Sequence, residues 1–233
     1  MTRTPLISAL GATQNGADGV VLAVADLCFN FPQQQLFDSL QMSVLAGVTL
    51  VQGGDGSGKT TLVRLLAGDL PLQKGQLELM SQSMGGIVLN AHSDALQAKA
   101  YRQQVFWIDP RSTEFDQISP RTYFEKQSLA WPDFDQTRLP KLIEGLSLPE
   151  FMDKPLYMLS TGSKRKVWLA AAFASNAILA LLDDPFAALD KPSIRYVTEV
   201  LNSLAQQSKR AVVMTGYAAP EDVALAGVID LGG

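Results

Sequence analysis

Gly53-Gly54-Asp55-Gly56-Ser57-Gly58-Lys59-Thr60 decides how the rest of this chain is read. The stretch fits the phosphate-binding pattern G-x-x-x-x-G-K-[ST], and its flanks supply what such a loop requires. Upstream, Val48-Thr49-Leu50-Val51 is a short apolar, β-branched run that reads as a buried strand. Downstream, Thr61-Leu62-Val63-Arg64-Leu65-Leu66-Ala67 reads as a helix with its stop signal at Gly68. Glycines let backbone N–H groups converge on phosphate oxygens, and the helix N-terminus adds its positive end. Lys59 is expected over the β- and γ-phosphates, with the Thr60 hydroxyl on Mg²⁺. Gly53, Gly54, Asp55, Gly56, Ser57, Gly58, Lys59, Thr60 and Thr61 are thus the expected phosphate cradle.

A chain of 233 residues suits one large α/β domain, or such a domain with a small subdomain. Its hydrophobic fraction of 47% is ample for a buried core. The formal charge of −4 leaves no overall basic excess to neutralise phosphates, which argues against a dedicated nucleic-acid binder. Cys28 is the single cysteine, so no intrachain disulfide can form, and its apolar setting places it in the core. No stretch approaches the ~20 apolar residues of a membrane-spanning helix. Pro5 to Ala12 faintly resembles a secretory signal, but its apolar core is too short.

Along the chain, residues 1–18 read as a loose lead-in. Strand-like runs follow at Val20–Phe31, Leu36–Leu45, Leu77–Leu79, Ile87–Leu89 and Val105–Ile108. The polar segment 91–102 carries no clear period. Ser119-Pro120 is a cap and first-turn proline for a helix through Leu129, and Asp135 is placed to cap another reaching Gly145. The helical block 112–158 therefore reads as an insertion into an α/β frame made of 19–111 and 159–233. Ile178-Leu179-Ala180-Leu181-Leu182 is a continuous apolar run, as a parallel strand covered on both faces would be. A helix over 191–207 and a strand over 211–215 complete a βαβ unit.

The run 178–182 ends in Asp183-Asp184-Pro185. A carboxylate at the C-terminal end of a central strand, beside a phosphate loop, is where an Mg²⁺ ligand belongs, and Asp183 takes that place. Asp184 faces the same cleft and is suited to orient or deprotonate an attacking water. Leu159-Ser160-Thr161-Gly162-Ser163 precedes a helical run beginning at Lys164. From its residues alone it is either a second anion cradle or an ordinary helix cap.

In order along the chain come the phosphate loop, the helical insertion, Leu159 to Ser163, the apolar strand with Asp183, and Ala188-Leu189-Asp190. Over residues 20–231 this resembles an ABC-type (ATP-binding cassette) ATPase. The resemblance implies a P-loop NTPase core with a mostly parallel central sheet, an antiparallel β subdomain and an inserted helical subdomain. It implies that Ser160 and Gly162 belong to the signature element that closes on nucleotide held by a second subunit. It implies that Phe31 stacks on adenine, and that Ala188-Leu189-Asp190 couples two sites. ATP and Mg²⁺ are the implied cofactors. The implied partners are a second cassette subunit and a transmembrane permease that holds the chain at the inner face of the cell membrane; no nucleic acid is expected.

Four positions depart from the family pattern. Asp184 stands where Glu is usual, one methylene shorter. Gly216 and Tyr217 follow the strand 211–215 where a histidine usually contacts the γ-phosphate, and His92, the single histidine, is expected in a surface loop. Asp109 replaces an expected glutamine and is a further candidate to meet Mg²⁺. Asp55 stands where Asn is common. All four changes surround the γ-phosphate, so binding is expected intact and turnover slow. Three functions compete: the ATPase subunit of a transporter, a weakly hydrolysing regulatory subunit in a mixed dimer, and a soluble cassette ATPase outside transport.

Overall fold

Two sheets share the strands in the computed structural model, which describes residues 6–8, 19–81, 85–207 and 209–232. In chain order the strands are β1 (Leu6–Ser8), β2 (Val20–Phe31), β3 (Gln34–Leu45), β4 (Gly47–Gln52), β5 (Lys74–Ser81), β6 (Gly85–Asn90), β7 (Val105–Phe106), β8 (Leu179–Leu182), β9 (Ala211–Thr215) and β10 (Leu225–Asp230). The larger sheet runs β1-β10-β4-β9-β8-β7 and is parallel except for β1. The smaller, β3-β2-β5-β6, is antiparallel throughout. This is the α/β architecture expected of the chain.

Strand β8 is apolar at every position because both faces of the larger sheet are covered. Leu179 and Leu181 pack with Val213, Ile229 and the inner faces of β2 and β5. Ala180 and Leu182, one residue out of phase, pack with Val212, Met214 and the helices on the opposite side. A period of two therefore feeds two cores from one strand. Helix α1 (Lys59–Leu66) lies on the first face, burying Leu62, Val63, Leu65 and Leu66. It stops at Ala67, and Gly68 takes a φ of 66°, which glycine adopts without a Cβ clash.

Helix α2 (Ala95–Arg102) occupies the segment that shows no clear period in the sequence. Its apolar content is low, but a reciprocal cap starts it: the Asp94 carboxylate accepts from Gln97 N–H while the Gln97 side chain accepts from Asp94 N–H. Tyr101 anchors it by donating its buried hydroxyl to the Leu66 carbonyl at 2.8 Å. Helix α3 (Pro120–Ala130) is capped by Ser119 as expected. Asp135 caps a turn rather than a helix: Oδ1 accepts from Thr137 and Arg138, and α4 (Leu139–Gly145) begins only after that turn. Proline at 140, within the first turn, costs no backbone hydrogen bond there. Helices α5 (Thr161–Ala174) and α6 (Lys191–Gln207) cover the second face of the sheet.

Three further sequence expectations need correction. Leu6–Ser8 is a strand within the segment read as a loose lead-in, because β10 offers it an open edge (Leu6↔Asp230, Ser8↔Val228); the rest of 1–18 lies outside the described residues. The strand read over 105–108 ends at Phe106, where pairing with β8 stops. Cys28 is half-buried rather than a core residue: its Sγ accepts from Ser39 N–H at 3.3 Å.

Candidate functional site

Four parallel strands open their C-terminal ends onto one cleft. The phosphate loop follows β4, Gly216-Tyr217 follows β9, Asp183-Asp184 follows β8, and Asp109 to Arg111 follows β7. The cleft is about 490 Å³ and is lined on the loop side by Asp55, Gly56, Gly58, Lys59, Thr60 and Thr61. Asp183, Asp184 and Arg111 line it further along, and Phe31, Gln34 and Leu36 reach it from the antiparallel sheet.

The loop sits at the start of α1 through a left-handed Gly58 (φ 98°), above which Leu36 approaches to 3.0 Å from where a Cβ would stand. A side chain at 58 would meet both obstacles, so the pattern's second glycine is needed here for shape. Lys59 curls back over the loop and donates to the Gly53 carbonyl at 2.7 Å and the Gly54 carbonyl at 2.8 Å. Ser57 turns its Oγ inward, buried and without a hydrogen-bond partner among the described residues.

Asp183 is held from both sides. Thr60 Oγ1 donates to its Oδ2 at 2.9 Å, and Thr215 Oγ1 donates to its Oδ1 at 2.6 Å. Thr215 also accepts from the Asp184 N–H at 2.9 Å, so one hydroxyl ties the Asp183 carboxylate to the backbone of its neighbour. Thr215 is 2% exposed and the pattern of the sequence did not mark it out: it ends an apolar strand and meets Asp183 only because β8 and β9 are neighbours. Asp184 takes a φ of 49°, the left-handed region that Asp and Asn tolerate better than other side chains.

Thr60 and Asp183 together suit Mg²⁺. It prefers oxygen ligands, keeps several waters, and needs only one or two protein oxygens when phosphates supply others. Among the described residues, no cluster of three or more His, Cys, Asp or Glu could hold a metal without that help. Asp109 does not line the cleft. Its Oδ1 instead accepts from Arg111 N–H at 2.8 Å, and its carboxylate edges a separate cavity of about 330 Å³ beside Phe106, Trp131 and Tyr123.

Tyr217 fills the place beside Lys59. Its ring centroid lies 5.1 Å from the Lys59 ammonium, and its hydroxyl donates to Asp55 Oδ1. That hydrogen bond is the main reason the phenol's pKa is raised. Phe31, 46% exposed, meets Phe29 edge-on at 5.2 Å, and the end of its strand is pinned by a reciprocal pair between Asn30 and the Gln73 side chain. His92 is exposed in a turn far from these groups in the chain.

Ser160 and Gly162 do not line the cleft. Ser160 caps α5, accepting from Ser163 N–H at 3.1 Å. Gly162 lies so close to the Ala188 carbonyl that a Cβ would stand 2.3 Å from it. Arg165 donates to the Ala187 carbonyl, and Lys166, 7% exposed, donates to Asp190. The start of α5 and the segment 187–190 are therefore fastened to each other. Asp190 has its pKa lowered to about 2, chiefly by Lys166 and then by the Ser193 N–H.

Comparison with known proteins agrees with this geometry. The sequence profile of the family described as ABC transporter matches residues 37–187. The cytochrome c biogenesis ATP-binding export protein CcmA of Pseudomonas fluorescens is 29% identical over 188 residues, covering 78% of this chain and 82% of that one. CcmA of Legionella pneumophila is 30% identical over 201 residues, covering 84% and 92%. Among solved structures, an ATP-binding subunit of an ABC transporter superposes with a TM-score of 0.70 at 21% identity, covering 84% of this chain and 79% of the other. An ABC transporter ATP-binding protein from Pyrococcus furiosus gives 0.69 at 21% identity, covering 90% and 96%. The match spans more than half of the chain and includes the loop and both aspartates: this protein belongs to the ABC transporter family, as an ATP-binding subunit.

Proposed function

We propose that the chain couples MgATP binding and slow hydrolysis to a separate membrane-spanning partner, through closure of two cassette subunits. The observation that carries this is the convergence of Lys59, Thr60, Asp183 and Asp184 on one cleft. The loop N–H groups and Lys59 hold phosphates, Phe31 offers a stacking face to the base, and Thr60 with Asp183 would hold Mg²⁺. The bound metal would neutralise charge on the phosphates. Asp184 is the group placed to orient water or take its proton, and Thr215 sets its backbone. Ser160 and Gly162, outside this cleft, serve the nucleotide of the second subunit.

No helix among the described residues is long and apolar enough to cross a membrane, so attachment to the inner face of the membrane would come through the partner. We assign residues 19–111 and 159–233 to the ATPase core and 112–158 to a helical subdomain. The aromatic cavity between the end of β7 and α3 is the surface we assign to the permease.

A second reading is favoured by the left-handed Asp184 and by Tyr217 beside Lys59: a regulatory subunit whose partner supplies the competent site. Steady-state MgATP hydrolysis by the purified protein, with Lys59→Ala as control, separates the two. Turnover above the control supports the motor. Nucleotide binding without turnover supports the regulatory subunit, and absence of both refutes the site.

A further inference from the structure

Arg111 enters the cleft from the end opposite Phe31. The order β4-β9-β8-β7 places the residues after each strand in a row along one edge: phosphate loop, Gly216-Tyr217, Asp183-Asp184, then Arg111. Phe31 reaches the cleft from the other sheet, on the loop side, where Leu36 packs over Gly58. A nucleotide with its base at Phe31 and its phosphates on the loop points its last phosphate along this row, toward Asp183-Asp184 and Arg111.

The charges of the cleft leave that phosphate in need of a cation. Asp55, Asp183 and Asp184 face Lys59 and Arg111, the two cationic side chains of the lining. An ammonium has three donors, and Lys59 already directs two at the Gly53 and Gly54 carbonyls with Tyr217 beside it. Arg111 is different. Its side chain is exposed to the cleft and makes no ion pair or hydrogen bond among the described residues. Its backbone, by contrast, is fixed: Asp109 Oδ1 accepts from Arg111 N–H at 2.8 Å, and the Asp109 carbonyl accepts from Ser112 N–H at 2.9 Å. A guanidinium presented this way can grip two phosphate oxygens at once.

We propose that Arg111 reads the terminal phosphate of a nucleoside triphosphate, and that Asp109 is a positioning residue that sets the Arg111 turn. This rests on the nucleotide reading of the cleft and adds to it a residue that distinguishes triphosphate from diphosphate. It also gives Asp109 a task other than meeting Mg²⁺.

The test is displacement of a fluorescent ATP analogue by ATP and by ADP, both with Mg²⁺, from the purified protein. Arg111→Ala is expected to weaken ATP about tenfold or more, the scale of a lost charge-assisted contact, and ADP less than about threefold. Arg111→Lys should recover part of the loss, since it keeps charge without the fork. Asp109→Ala should lower the ATP-to-ADP preference in the same sense, while Asp109→Asn, which retains the Oδ1 acceptor, should preserve it. An equal effect on both nucleotides, or none, in Arg111→Ala overturns the assignment to the terminal phosphate. Loss of Mg²⁺ dependence in Asp109→Asn returns Asp109 to the metal. Wild-type protein that binds neither nucleotide refutes the cleft reading, and Arg111 with it.

Discussion

Replacing Thr215 with Val keeps the shape of the side chain and removes one hydroxyl, yet that hydroxyl joins the Asp183 carboxylate to the Asp184 backbone. It donates to Asp183 Oδ1 at 2.6 Å and accepts from Asp184 N–H at 2.9 Å, and the residue is 2% exposed. A hydrogen bond to a charged group contributes about 1.5–3 kcal/mol, and a buried N–H left unpaired costs about 1–3 kcal/mol. Asp183 keeps Thr60, and the cleft admits some water to Asp184, so we expect about 2–4 kcal/mol of destabilisation. In a chain of this size each kcal/mol lowers the thermal midpoint by about 2–4 °C. The predicted fall in Tm is therefore roughly 4–16 °C for the nucleotide-free protein. Turnover should fall further than stability explains, because a shift of about 1 Å in Asp184 costs on the order of 10²-fold. Thermal unfolding and steady-state MgATP hydrolysis are measured on wild type, Thr215→Val and Thr215→Ser, the last retaining the hydroxyl. If Thr215→Val melts with Thr215→Ser and keeps the wild-type kcat and KM, the hydroxyl does not organise the site.

Asp184→Glu should raise turnover by restoring reach. It should also lower stability by about 1 kcal/mol, because a longer side chain must hold a φ of 49°; hydrolysis and melting are read together, and an unchanged rate shifts the fault to Gly216 or Tyr217. Tyr217→Ala removes the ring beside Lys59, an exposed contact of about 0.5–1 kcal/mol, and should tighten nucleotide binding by about two- to fivefold; weaker binding would show that the ring touches nucleotide. Asp190 has a folded pKa lowered from 3.8 to about 2, so its contribution is present above about pH 4 and lost as pH falls through about 2. The full shift would be about 2.5 kcal/mol, but the side chain is 54% exposed and screening reduces this to about 1 kcal/mol. Asp190→Asn should therefore flatten the urea midpoint between pH 4 and pH 2, and should also lower it at pH 7 by leaving the buried Lys166 without its carboxylate.

Local chemistry is what the sequence displays most openly. The phosphate loop, its strand and its helix are contiguous, and the apolar run 178–182 announces burial on both faces without any partner in view. Helix α2 escaped a periodicity argument because only Tyr101 of its residues is buried; its signal was the Asp94–Gln97 cap. Strand β1 is set by an available edge, a property of β10 and not of Leu6-Ile7-Ser8. The site divides the same way. Lys59, Thr60 and Asp183 announce themselves through motifs and Tyr217 through a departure from one, whereas Thr215 and Arg111 join them through strand neighbours that no local pattern reveals. Asp109 differs again: a carboxylate that a motif places near the metal has its Oδ1 turned to the N–H of Arg111.

The strand that delivers the phosphate loop is flanked by the last two strands of the chain: Gly47 pairs with Ala211, and Val48 with Leu225. On a ribosome, which extends a chain at about 5–20 residues per second, the loop is made early but its strand waits for both neighbours. Such long-range parallel pairing folds slowly and leaves apolar edges open meanwhile. Until residues 211–230 emerge, Val48 to Val51 are an unpaired strand, and Thr60 has a carboxylate but no Thr215 to steady it. The ability to grip nucleotide thus waits on strands made long after the loop itself, so closure of this sheet, and not synthesis of the motif, is the step that arms the cleft.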